Sequence, residues 1–194
     1  MLSDLLALNV FHFLLVFARL SVVFLLMPGV SAAYVPTRVR LMLAMLVTLL
    51  SLPLVQGYLP PEPDTTAELV KLLFFEVFTG AFIGTVVQMV MAALNLAGLI
   101  ISRSNGLMNA FVQDPVSNAQ SAVVIGFLNI MVVVLIFSTG LHGFMIMAIV
   151  DSYSMIAPNE PVLLGDMLNM VASVLNDSFS VGVRIASPFL VYAL

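Results

Sequence analysis

The stretch EVFTGAFIGTVVQMVMAALN, residues 76–95, decides how the rest of the chain is read. Glu76, Gly80, Gly84, Gln88, Ala92 and Asn95 follow one another in it at spacings of 4, 4, 4, 4 and 3. That rhythm lays a small-and-polar stripe along one face of a single helix. A charged side chain at the centre of a bilayer costs about 2.5 to 3.5 kcal/mol on insertion scales. The stripe therefore has to face protein or water, and the question is which.

Outward from this helix the chain stays apolar. Of its 194 residues 62% are hydrophobic and 8% charged, far from the balance of a soluble domain. Five apolar runs stand out: Leu5 to Met27, Leu41 to Leu54, Leu69 to Ile101, Ala122 to Val150 and Met167 to Leu194. Connectors are marked by Pro28-Gly29 and Pro36, by LPPEPDTT, by residues 106–120, and by APNEP; each stops a helix. The expectation is an all-α, integral-membrane-type protein of long, partly kinked helices arranged as hairpins, about five in number, in one domain over residues 1–194. Arg19 inside the first run, and no basic residue ahead of it, argue against a cleaved leader. Basic residues in the first and third connectors alternate with acidic ones, Glu160 among them, in the second and fourth, which puts the first and third in the cytoplasm.

The same composition excludes several chemistries. There is no cysteine, so there are no disulfides and no thiolate metal sites. His12 and His142 are the only histidines and lie outside any metal-ligand spacing, so each is expected to pack between helices and no metal or cofactor is expected. Lys71, the one lysine, follows no glycine-rich phosphate loop, and no Gly-x-Ser-x-Gly elbow is present, so the chain does not read as an enzyme. Six scattered basic residues give no footprint for nucleic acid.

Two further runs repeat the polar pattern. In the fifth, Asn169, Ser173, Asn176, Ser180, Arg184 and Ser187 share a face, with Asp177 beside it; the first contributes Asn9, His12 and Arg19. Arg19, Glu76, Asp177 and Arg184 would together cost on the order of 10 kcal/mol against lipid, as much as a domain's whole stability. One reading is a self-contained bundle, with Gly80-x-x-x-Gly84 packing closely and the charges paired inside. The other gives these faces to neighbouring subunits or a conduit, because so few helices cannot cover three seams. A third use of intramembrane Glu76, Asp177 and Arg184 is an ion or proton path in a small-solute transporter or channel, although the chain shows no internal repeat.

Residues 106–120, GLMNAFVQDPVSNAQ, interrupt two greasy runs with glycine, amides and an Asp-Pro turn. Such backbone is tolerated at membrane depth only inside protein or a wet cavity. It reads either as an ordinary cytoplasmic loop or as a re-entrant plug with Met108 and Phe111 as the stopper.

The segment AGLIISRSNGLMNAFVQDPVSNAQSAVVIGFLNIMVVVLIFSTGLHGFMIMAIVDSYSMIAP, together with VFARLSVVFLLMPGV, VPTRVRLMLAMLVTLLSLP and Glu76 followed by Gly80 and Gly84, resembles the flagellar biosynthesis protein FliR family. The resemblance covers nearly the whole chain. It implies the R subunit of the type III secretion export gate, joined to P and Q subunits in a helical assembly that passes unfolded flagellar proteins across the bacterial inner membrane within the basal body. Arg19, Glu76, Gly80, Gly84, Gln88, Asn95, Asn169, Asn176, Asp177 and Arg184 would then belong to intersubunit or conduit seams. Gly106, Met108, Phe111, Asp114 and Pro115 would form a pore plug. Family members continue past the apolar run after Pro188 into helices that resemble the Q subunit, so the resemblance implies a chain lacking the family's C-terminal helices.

Overall fold

The structure, a computed structural model, describes residues 2–32, 34–117, 119–158 and 164–192, without the side chains of 2–9 and 164. Asn118, Glu160 and the side chain of Asn9, all used in reading the sequence, lie outside the described residues. The five apolar runs become six helices: α1 Leu2–Leu26, α2 Thr37–Val55, α3 Thr66–Ser104, α4 Val123–Ser138, α5 Leu141–Met155 and α6 Leu164–Tyr192. Between α3 and α4 sits a two-stranded antiparallel ribbon, β1 Phe111–Gln113 and β2 Gln120–Ala122, in the register Phe111↔Ala122, Val112↔Ser121, Gln113↔Gln120.

The sixth helix arises because the fourth run breaks. The Thr139 N–H and hydroxyl both donate to the Leu135 carbonyl, at 3.0 and 2.6 Å, and Gly140 follows at φ +76°. A left-handed glycine after a helix end is an ordinary stop, and it falls in STGLHG, residues 138–143, where the run's hydropathy dips. The ribbon is the other departure from a purely helical reading.

Among the described residues two helices are long and apolar enough to cross a membrane, Thr37–Tyr58 and Thr66–Ser104, and the pair α4 and α5 makes a third if counted as one broken span. The 39 residues of α3 amount to about 58 Å of helix, nearly twice the roughly 30 Å of a hydrocarbon core.

Contacts divide the chain into two compact units, to both of which α3 contributes: residues 1–26, 36–84 and 142–162, and residues 27–35, 85–141 and 163–194. In the first, α1 turns Phe11, Leu15, Val16, Leu20, Val23 and Phe24 inward. Its partner α2 is inverted relative to a soluble helix: it buries Ala44, Thr48, Ser51 and Val55 and exposes Met42, Met45, Leu46, Leu49, Leu50 and Leu54. Small side chains inside let backbones approach, and large apolar ones outside suit lipid or a partner. His12 packs as a helix-joining imidazole, with Nε2 donating to the Pro60 carbonyl at 3.0 Å.

In the second unit close approach again falls on small residues. A Cβ placed on Gly182 of α6 would lie 2.6 Å from the Ala93 carbonyl oxygen of α3, and Ala97, Ile101 and Ala186 form the buried contact beside it. A Cβ on Gly98 would meet the Ile125 side chain at 2.9 Å, which brings the start of α4 hard against α3.

Candidate functional site

The stripe on α3 does not meet one environment along its length. Glu76, Gly80 and Gly84 are buried, Gln88 is half-buried, and Ala92 and Asn95 are exposed. At its buried end, in the first unit, Arg19 of α1 and Glu76 of α3 come together at 1% and 0% side-chain exposure. Arg19 Nε donates to Glu76 Oε2 at 2.7 Å and Nη2 donates to Oε1 at 3.0 Å, a two-pronged pairing that matches the planar guanidinium to the carboxylate.

Helix α5 completes the cluster. Arg19 Nη1 donates to Ser152 Oγ and Nη2 to the Ile156 carbonyl, both at 3.0 Å. Tyr153 donates its hydroxyl to Glu76 Oε2 at 3.3 Å and places its ring 3.8 Å from the guanidinium carbon, within cation–π range. Gly80 makes the approach possible, since a Cβ there would stand 2.5 Å from the Arg19 carbonyl oxygen; one at Gly84 would meet Leu26 at the same distance. Each charge is thus satisfied inside the chain, and α1, α3 and α5 are joined at one point.

The second cluster is the ribbon. Gly106 holds φ +70° and opens a turn over Leu107–Asn109, after which the strands pair and the Val123 N–H donates to the Ala110 carbonyl at 3.0 Å. Asp114 is 1% exposed. Its Oδ1 accepts from the Val116 N–H at 2.9 Å and its Oδ2 accepts from the Ser117 hydroxyl at 3.0 Å and from Asn129 Nδ2 of α4 at 2.8 Å. The Asp-Pro pair therefore builds a turn through its own side chain and anchors it to a helix. Pro115, Met108 and Phe111 are exposed, Phe111 at 64%.

The third element is α6. Met167, Ser178, Gly182 and Ala186 are buried, while Asn169, Asn176, Asp177 and Arg184 are exposed. Asn169, Asn176 and Arg184 stand two residues, roughly 200° round the helix, from Met167, Ser178 and Gly182, so the polar seam points away from the chain's own packing face, with Asp177 on its flank. Glu76 belongs to the first unit, Asp177 and Arg184 to the second. Among the described residues, no three of His, Cys, Asp and Glu gather where they could hold a metal.

Three residues of these clusters, Asn129, Ser152 and Tyr153, entered the sequence reading only inside the segment that carries the family resemblance and were given no site role there. A signal existed for Asn129, the one amide in VVIGFLNIMVVVLIFS. The Ser-Tyr pair stands out less in α5, where Ser154 follows it directly.

The family described as bacterial export proteins, family 1, matches residues 10–194. The chain is similar to the flagellar biosynthetic protein FliR of Caulobacter vibrioides, 35% identical over 97% of this chain and 75% of that protein. It is also similar to FliR of Bacillus subtilis, 28% identical over 76% of this chain and 56% of the relative, and to FliR of Pectobacterium carotovorum, 31% identical over 71% and 52%.

Proposed function

Because the chain belongs to the bacterial export proteins, family 1, we propose that it is the R-type subunit of a flagellar export gate. The observation that carries this is the 35% identity to a FliR protein across 97% of the chain. On this reading it sits in the bacterial inner membrane within the basal body and joins P and Q subunits. Together they form a conduit for unfolded flagellar proteins, and no covalent chemistry is asked of this chain.

Two features fit that role. The polar seam of α6, with Asn169, Asn176, Asp177 and Arg184, faces away from the chain and suits a neighbouring subunit or a wet tunnel, as does Asn95 beyond half-buried Gln88. The buried end of the stripe, with Arg19, Glu76, Gly80 and Gly84, instead holds α1, α3 and α5 together within the first unit. The ribbon between Gly106 and Gln120 acts as a plug, with Met108 and Phe111 as the apolar stopper and Asp114-Pro115 as the fixed turn. A transporter built on Glu76 is less well supported, since both of its oxygens are engaged by Arg19.

The test is co-expression with the P and Q subunits of the same system, affinity purification through this chain, and mass measurement of what is recovered. A stable hetero-oligomer is expected; recovery of this chain alone, monodisperse, would reject the reading. Shortening the ribbon should open an ion leak in cells while the assembly still forms.

A further inference from the structure

We propose that Asn129 is a positioning residue for the ribbon: its amide, donating to Asp114, holds β1 and β2 against α4. Asn129 is 4% exposed, and its Oδ1 has no hydrogen-bond partner among the described residues. An amide buried in an otherwise apolar helix with one end unpaired is unfavourable for the helix itself. The group it serves is Asp114, a buried carboxylate whose remaining partners, Val116 and Ser117, belong to its own turn. Asn129 Nδ2 is thus the donor from α4 to that carboxylate.

Gly126 lies one turn before Asn129 on the same face of α4, and supports the same docking. A Cβ there would be 3.2 Å from Val112 Cγ1, 3.6 Å from Ser121 Oγ and 4.0 Å from Asp114 Cβ. Both strands and the turn therefore converge on the patch made by Gly126 and Asn129. The geometry also predicts which substitutions the link survives. In Asp114→Asn, Oδ1 still accepts from Val116, and a flipped Asn129 amide presents its unpartnered Oδ1 to the new Nδ2. In Asn129→Asp two carboxylates face each other across the former hydrogen bond and repel. Exchanging the two, Asp114→Asn with Asn129→Asp, restores one donor and one acceptor.

The effect on ribbon position stands alone; its effect on sealing rests on the plug reading. The two are separated by two readouts on the protein assembled in its native membrane. The chain has no cysteine, so Val112→Cys with Gly126→Cys introduces one reporting pair whose disulfide yield under mild oxidation measures how firmly the ribbon sits on α4. Ion leak in the same cells, without oxidant, measures sealing. High yield is expected in the parent and in Asp114→Asn, a severalfold lower yield in Asn129→Asp and in the similarly sized Asn129→Leu, and recovery in the exchanged pair, with the assembly recovered in all. Unchanged yield in Asn129→Asp and Asn129→Leu, or no disulfide in the parent, overturns the proposal. If the yields move as expected and Asn129→Asp leaks, both ideas stand. If the yields move but neither Asn129→Asp nor a shortened ribbon leaks, the plug reading falls and the positioning role remains.

Discussion

Two opposite charges, Arg19 and Glu76, are nearly sealed from solvent at the junction of three helices. Removing water from both ions is costly, and their attraction offsets the cost only with good geometry and with the remaining donors and acceptors filled. Here the fork is two-pronged, and Ser152, Ile156 and Tyr153 take what is left over. The consequence is asymmetric. Arg19→Ala or Glu76→Ala strands a buried charge and should destabilise the chain by about 3 to 5 kcal/mol, whereas Arg19→Met with Glu76→Leu should recover most of that loss. Arg19→Lys keeps the charge but forfeits the fork and should fall between. Thermal unfolding in detergent measures all four, and equal losses for the double and single variants would contradict the argument. The need to shelter these charges was legible from the price of placing them in lipid; the pairing was not, because the partners are 57 residues apart and a helical period reports a face, never what lies across it.

At the scale of the element, glycines mark where helices touch and where they do not. Gly80 faces a backbone carbonyl that cannot yield, while Gly143, in the first turn of α5, has nothing within 4 Å. Gly80→Ala should therefore force α1 and α3 apart and cost roughly 1 to 3 kcal/mol, as overpacking does. Gly143→Ala should stabilise the isolated chain by up to about 0.5 kcal/mol, less than the roughly 1 kcal/mol of a helix interior, through helix propensity alone. Melting the two variants beside the parent checks both signs, and a destabilised Gly143→Ala would show that α5 packs more tightly than described. Helix placement was largely readable, since each apolar run seeds at least one helix. What escaped was local. Gly140 splits the fourth run at STGLHG, residues 138–143, a dip too short to end an apolar run, and strands as short as Phe111–Gln113 and Gln120–Ala122 carry too few residues for an alternating pattern to register. The Asp-Pro turn between them was visible because its mechanism is local; its anchor on Asn129 was not.

Over the whole molecule, the Leu and Met face of α2, which a soluble chain would hide, is exposed, and so is the polar seam of α6. The two sides of α6 differ: Ser178, Gly182 and Ala186 are buried within this chain, whereas Asn176, Asp177 and Arg184 are exposed and, on the proposed reading, meet a neighbouring subunit or a wet tunnel. Gly182→Val, pushing against the Ala93 carbonyl 2.6 Å from its would-be Cβ, should lower the melting temperature of the isolated chain and reduce assembly with it. Asn176→Leu and Arg184→Leu should leave the isolated chain within about 0.5 kcal/mol of the parent, as exposed substitutions do; if the seam meets a neighbouring subunit or a wet tunnel, as proposed, they should also reduce recovery of the assembly or its secretion, because an apolar side chain there leaves a polar group or a file of water without its counterpart. Were the seam lipid-facing, the same changes would favour the membrane and leave assembly intact. Measuring melting and assembly on one set of variants thus separates a face that folds this chain from a face that joins it to others.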